Sequence, residues 1–174
     1  MTEKKLTKAE LRVQVAKDVL KHLKTLRVLA GNTYVWTDGV DDVDYEKPSQ
    51  KIARSLQKNG CEVCALGACF LSLVALKNEF DFDGKTIFTR SEITNRLRSV
   101  FSDAQMDLIE EAFEWDVEDT PYGARENRLS AFARKYHNNN TYFDSARGFV
   151  VVCGDRRLRA IMKNIIENKG TFKP

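Results

Sequence analysis

The sequence predicts a mainly α, α+β fold, a single compact domain over residues 1–174 with about six helices and two or three short strands. Three stretches carry that reading. From Thr7 onward, Leu11, Val15, Val19, Leu23 and Leu26 recur at spacings of four, four, four and three, the signature of one helix face. Cys61 to Leu76 is apolar nearly all round, and Ala65, Gly67 and Ala68 would let another backbone approach. A helix apolar on every side belongs in the middle of a core. Gly148 precedes Phe149-Val150-Val151-Val152-Cys153, a continuous apolar run of the kind that forms a buried strand.

The chain has 174 residues, with 43% hydrophobic, 10% aromatic and 30% charged side chains. That composition excludes a disordered chain, a collagen-like fibre and a disulfide-dense miniprotein. A chain of this size buries roughly two-thirds of its unfolded surface, so a core needs neither metal nor disulfide to hold it. There is no internal repeat, low-complexity linker or composition shift, which is why a single domain is expected.

In chain order, Thr7 and Glu10 make a capping box for the first helix, and Gly31 is its expected stop. Thr33 to Thr37 is β-branched and aromatic and reads as a strand. An acidic loop with Asp38, Asp41, Asp42, Asp44 and Glu46 leads to Pro48 and Ser49, which open a helix running to about Lys58. The central apolar helix follows from Cys61. Asp83-Gly84 is a turn signal before a short strand at Thr86 to Phe88. Thr89 with Glu92, and then Ser102, cap two helices whose inner stripes are Ile93, Leu97, Val100 and Met106, Ile109, Ala112, Phe113. After the break at Pro121-Tyr122-Gly123, a helix is expected from about Ala124 to Tyr136, stopping in Asn138-Asn139-Asn140. Asp155 is the expected cap of the last helix, which turns Leu158, Ile161, Met162 and Ile165 inward.

The chemistry-bearing residues are few. Cys61-x-x-Cys64, Cys69 and Cys153 are enough thiols for a tetrahedral zinc site, although only one knuckle-like pair is present. The alternative is that they are small apolar residues of the core. Cys61 or Cys64 near a helix start, with His137 beside Asn138 and Asn139, gives the residue order of a cysteine hydrolase. His22 is the only other histidine, so acid–base catalysis has little to draw on. A thioredoxin-like redox role is disfavoured because the residues before Cys61 read as helix. Neither the acidic loop nor Asp81-x-Asp83-Gly84 completes a calcium loop, since the closing position of the latter is Arg90. No Gly-rich phosphate loop exists, and no cofactor is expected.

The charges divide into sets. Lys+Arg is 28 against Asp+Glu 25, a net charge of +3. The resulting pI near 8.6 is lower than in most domains built to hold nucleic acid, which makes nucleic acid the less expected partner. Lys17, Lys21 and Lys24 decorate the first helix, and Arg156, Arg157, Arg159 and Lys163 crowd the start of the last. These are candidate binding residues for an acidic surface, and the second set, at a helix N-terminus, could equally bind a phosphate. Alternatively, the second set pairs with the acidic 110–119 stretch of the same molecule.

Trp36-Thr37-Asp38-Gly39, followed by Cys61-Glu62-Val63-Cys64-Ala65-Leu66-Gly67-Ala68, resembles a family of small proteins of unknown function from bacteria and tailed phages. There a Trp and a Gly precede a C-A-x-G-A helix. The run Arg157 to Asn168 is similar to the C-terminus of uncharacterised phage proteins. The resemblance implies a viral origin and carries no catalytic residue with it. The resulting expectation is a non-enzymatic cytoplasmic binder that docks on or inhibits a host or defence protein, with no membrane partner. The longest apolar stretch falls short of the ~20 residues a bilayer crossing requires, and four cysteines with no signal-like start at Met1 to Lys5 fit a reducing cytosol. The alternative is a cysteine- or metal-dependent hydrolase using Cys61, Cys64 and His137, or the four thiols.

Overall fold

The computed structural model describes residues 6–30, 34–37, 40, 43–77, 80–82, 87–114, 128–137, 141–144 and 149–174. These residues form seven helices and six short strands, the mainly α, α+β architecture that the sequence predicts. The expected features at Gly31, Asp38, Asp41, Asp42, Asp83-Gly84, 115–127 and 138–140 lie outside the described residues.

Helix α1 (Lys8–His22) begins as its first turn dictates. The Glu10 N–H donates to the Thr7 hydroxyl at 3.2 Å, and the Thr7 N–H donates to the Glu10 carboxylate at 2.8 Å. Two orphan donors are thereby satisfied. The helix ends eight residues before the expected stop. Thr25 and Leu26 both donate to the His22 carbonyl, and the chain then enters strand β1 (Arg27–Ala30). Leu26 stays buried, so its place in the apolar spacing is preserved although it is no longer helical.

The other strands are β2 (Val35–Trp36), β3 (Glu62–Val63), β4 (Ile87–Phe88), β5 (Thr141–Asp144) and β6 (Phe149–Cys153). They form one mixed sheet in the order β4-β2-β3-β1-β6-β5. Strand β1 lies parallel to β3, pairing Val28 with Val63, and antiparallel to β6, pairing Ala30 with Val152. Strand β3 occupies residues expected to open the central helix. The Cys61 carbonyl accepts from Arg27, and the Cys64 N–H donates to the Tyr34 carbonyl at 3.2 Å.

Behind the sheet stands α3 (Ala65–Lys77), with all eleven residues from Ala65 to Ala75 buried. Around it pack α1, α2 (Ser49–Lys58), α4 (Arg90–Leu97) and α5 (Asp103–Glu114). Helices α6 (Arg128–Lys135) and α7 (Asp155–Glu167) complete the shell, and α7 lies against α1. Arg12 of α1 donates to the carbonyl of Gly170, just past the end of α7, so the two helices run antiparallel. The cap of α7 is Gly154, not Asp155. The Gly154 N–H donates to Val28 at 2.9 Å, and a Cβ there would sit 2.3 Å from the Phe113 ring.

Two devices lock the shell to α3. One is a polar knot: Gln57 donates to Asp18 and to Ser72, each at 3.0 Å, and Arg54 donates to Asp18 at 2.6 and 2.7 Å. It links α1, α2 and α3, and every buried polar member has a partner, as burial requires. The other is an aromatic cluster in which Phe70 meets Phe80 edge-on at 4.7 Å and Phe82 meets Phe88 at 5.6 Å.

The tightest approach is at Gly67, where a Cβ would lie 1.7 Å from the Tyr34 carbonyl oxygen. Backbone cannot yield as a flexible side chain can. Gly67→Ala is therefore expected to lower the unfolding free energy by about 3 kcal/mol, the upper end for overpacking. Urea titration measures this, and a loss below about 1 kcal/mol would contradict the close approach.

Candidate functional site

Three of the four thiols are core atoms. Cys61, Cys64 and Cys69 are buried. Burial pushes the Cys61 and Cys69 thiols up to about 12 and raises Cys64 as well. The Cys64 sulfur accepts the Gly67 N–H at 3.5 Å, a cap at the start of α3 that is too weak to offset the burial. A nucleophile must be a thiolate, and these are thiols at neutral pH. The C-x-x-C pair straddles extended β3, so its Cα atoms are about 10 Å apart, beyond the ~7 Å a disulfide can span. Among the described residues no group of three or more His, Cys, Asp and Glu is placed to hold a metal ion. The four thiols are not gathered into a site: Cys153 is half-buried at the end of β6.

His137 is likewise engaged. Arg157 donates to its Nδ1 at 2.9 Å and to the Phe113 carbonyl at 2.9 Å. An arginine donor at Nδ1 places the ring proton on Nε2. The ring is bonded to α7 rather than to either candidate nucleophile, so the hydrolase constellation of Cys61, Cys64 and His137 is not assembled.

The same bonds correct the binding set. Arg157 is 3% exposed and clamps α5 and His137 to α7, so it is not a surface cation. Its carbonyl partner lies in the last turn of α5, where helix carbonyls lack partners in the helix itself. A sequence signal for this exists: Arg157 precedes Ile161 and Ile165 at spacings of four, on the apolar stripe of α7.

The two remaining cation sets meet through one member of each. Lys17 and Lys21 are exposed on α1 and Lys24 in the turn after it, and Arg156, Arg159 and Lys163 are exposed on α7. Because the two helices are antiparallel neighbours, the end of α1 meets the start of α7. Lys24 and Arg159 line one groove of about 500 Å³, together with Arg27, Cys153 and Asp155. A second groove, about 400 Å³, carries Lys47, Lys51, Arg54 and Lys58 along α2. Sequence reasoning missed this stripe although its spacings of four, three and four are helical. His22 joins the two regions: its pKa is lowered, mainly by burial, with Asp18 opposing and Arg54, Lys21 and Lys58 adding to the fall.

The acidic residues form a separate surface. Arg90 pairs with Asp107 at 2.7 Å and Glu110 at 2.9 Å, Arg98 pairs with Asp103 at 2.8 Å, and the Tyr34 hydroxyl donates to Glu110. Arg90, the misfit in the would-be calcium loop, is thus a partner of α5. No protein family, curated protein or solved structure matches the chain.

Two outcomes follow from these environments. A chromogenic disulfide reagent should label only Cys153 quickly in the native protein, and all four thiols in denaturant. Fast labelling of Cys64 would contradict its burial. The depressed pKa of His22 means that the unfolded chain binds its proton more readily. Its contribution is intact above the ordinary imidazole value of about 6.5 and is lost as pH falls below that. Urea midpoints should therefore fall between pH 7 and pH 5, and less steeply in His22→Gln. An equally steep fall in that variant would place the titration elsewhere.

Proposed function

We propose that the chain is a non-enzymatic, cytoplasmic binding protein that docks through its α1–α7 basic face on an acidic surface of another protein. Its resemblance to small phage and bacterial proteins makes a host or defence protein the target class, and docking there would inhibit that target. The observation that carries this reading is the shared groove of Lys24 and Arg159, which joins two cation sets far apart in sequence into one surface. Clustered charge of one sign speeds encounter with an oppositely charged patch and disfavours wrong partners. Cys61, Cys64 and His137, on which a hydrolase would depend, are engaged in packing and hydrogen bonding. No helix among the described residues is long and apolar enough to cross a membrane.

The test is capture of partners from bacterial host lysate on the tagged protein, with and without nuclease. One stoichiometric protein should be retained after nuclease treatment. Lys21→Glu/Lys24→Glu/Arg159→Glu should abolish its capture with the thermal midpoint little changed, since exposed substitutions cost within about 0.5 kcal/mol each. Undiminished capture by the triple variant, or capture only of nuclease-sensitive material, would overturn the proposal.

A further inference from the structure

At the outer edge of the basic face, α6 and α7 enclose a groove of about 320 Å³, within the usual range for small-molecule sites. One wall is Arg156, Arg159 and Lys163 of α7, the other is Phe132 and Tyr136 of α6, and Ala160 lies between them. The cations sit at successive spacings of three and four, spread over about 10 Å of one helix face. Like charges at such spacings repel, and Arg156 and Arg159 also lie near the positive end of the helix dipole.

Four arginines elsewhere are neutralised within the chain: Arg27 holds Glu62, Arg54 holds Asp18, Arg90 holds Asp107 and Glu110, and Arg98 holds Asp103. In this groove the cations are not. Among the described residues, Arg159 and Lys163 have no ion-pair partner, and Arg156 reaches only the His137 carbonyl at 3.4 Å. Glu167 is the one carboxylate on the wall. This row of cations therefore suits an anion carrying more than one charge, as a phosphate ester does and a single carboxylate does not.

The aromatic wall adds a second demand. Phe132 is fixed edge-on against the buried Phe172 at 5.3 Å. It in turn supports the half-exposed Tyr136 at 4.8 Å, with Lys135 over the tyrosine ring at 5.4 Å. A braced ring beside a cation row is a platform for a flat, electron-rich ring.

We propose that this groove is a nucleotide-binding site, which takes phosphates on Arg156, Arg159 and Lys163 and stacks the base on Tyr136. The site stands whether or not the basic face has a protein partner. Because Arg156 and Arg159 belong to both, a bound nucleotide would neutralise one end of that face.

The test titrates the full chain, at low ionic strength, with ADP, inorganic pyrophosphate and a glutamate-rich peptide, read by calorimetry and amide chemical shifts. ADP should saturate one site, bind more tightly than pyrophosphate, and shift Tyr136, Arg159 and Lys163. Arg159→Ala/Lys163→Ala should weaken both phosphate ligands roughly tenfold or more. Tyr136→Leu should weaken ADP about fivefold or more while leaving pyrophosphate unchanged, and Tyr136→Phe should restore ADP. That restoration separates stacking from misfolding. Equal affinity for ADP and pyrophosphate would overturn the proposal, as would the peptide saturating these residues when ADP does not, or no binding at all.

Discussion

The fold depends on how closely one apolar helix can approach one strand. With no polar side to turn toward water, α3 must be covered on every face, and Gly67 lets it settle against the Tyr34 carbonyl just before β2. The Cys64 N–H, one of the orphan donors of the first turn, is taken by that same carbonyl. The sheet then positions β1 and β6, which set α1 and α7 side by side. The polar knot of Asp18, Gln57, Ser72 and Arg54 fixes where α1 and α2 sit on α3. The basic face is therefore a consequence of the core: its two rows of cations are adjacent because β1 and β6 pair.

This arrangement also explains which residues remain for function. The groups with the most chemistry in them are committed to structure. Cys64 caps a helix, Cys61 and Cys69 fill the core, Arg157 clamps α5 to α7, and His137 receives its hydrogen bond. What reaches the surface is charge, and it is unevenly satisfied. Around α4 and α5 acids and bases are matched in pairs, whereas Arg156, Arg159 and Lys163 of α7 have no carboxylate partner among the described residues. Unmatched charge on a rigid helix pair is the feature an oppositely charged ligand would select.

Much of the fold was legible in the sequence because it rests on local rules. The capping boxes at Thr7 and Thr89, the buried stripe of α5 and the all-round apolarity of α3 are each set within a few residues. Strands β1 and β3 are short and follow or precede helices, so the apolar spacing runs through the junction and hides the change to extended backbone; only pairing partners distant in sequence reveal it. Arg157 was misread because arginine is usually exposed, although its position on the α7 stripe pointed inward. The joining of Lys24 to Arg159 was not legible at all, since it depends on the antiparallel packing of helices more than a hundred residues apart.

Whether the α1–α7 cations make the docking surface is decided by zero-length carbodiimide cross-linking of the captured complex. This chemistry joins a lysine to a carboxylate only when the two are in contact. The account predicts that Lys21, Lys24 and Lys163 become linked to aspartates and glutamates of the partner. Links running instead from Asp103, Asp107 or Glu111 of α5 to partner lysines, with the α1 and α7 lysines unmodified by the partner, would contradict it.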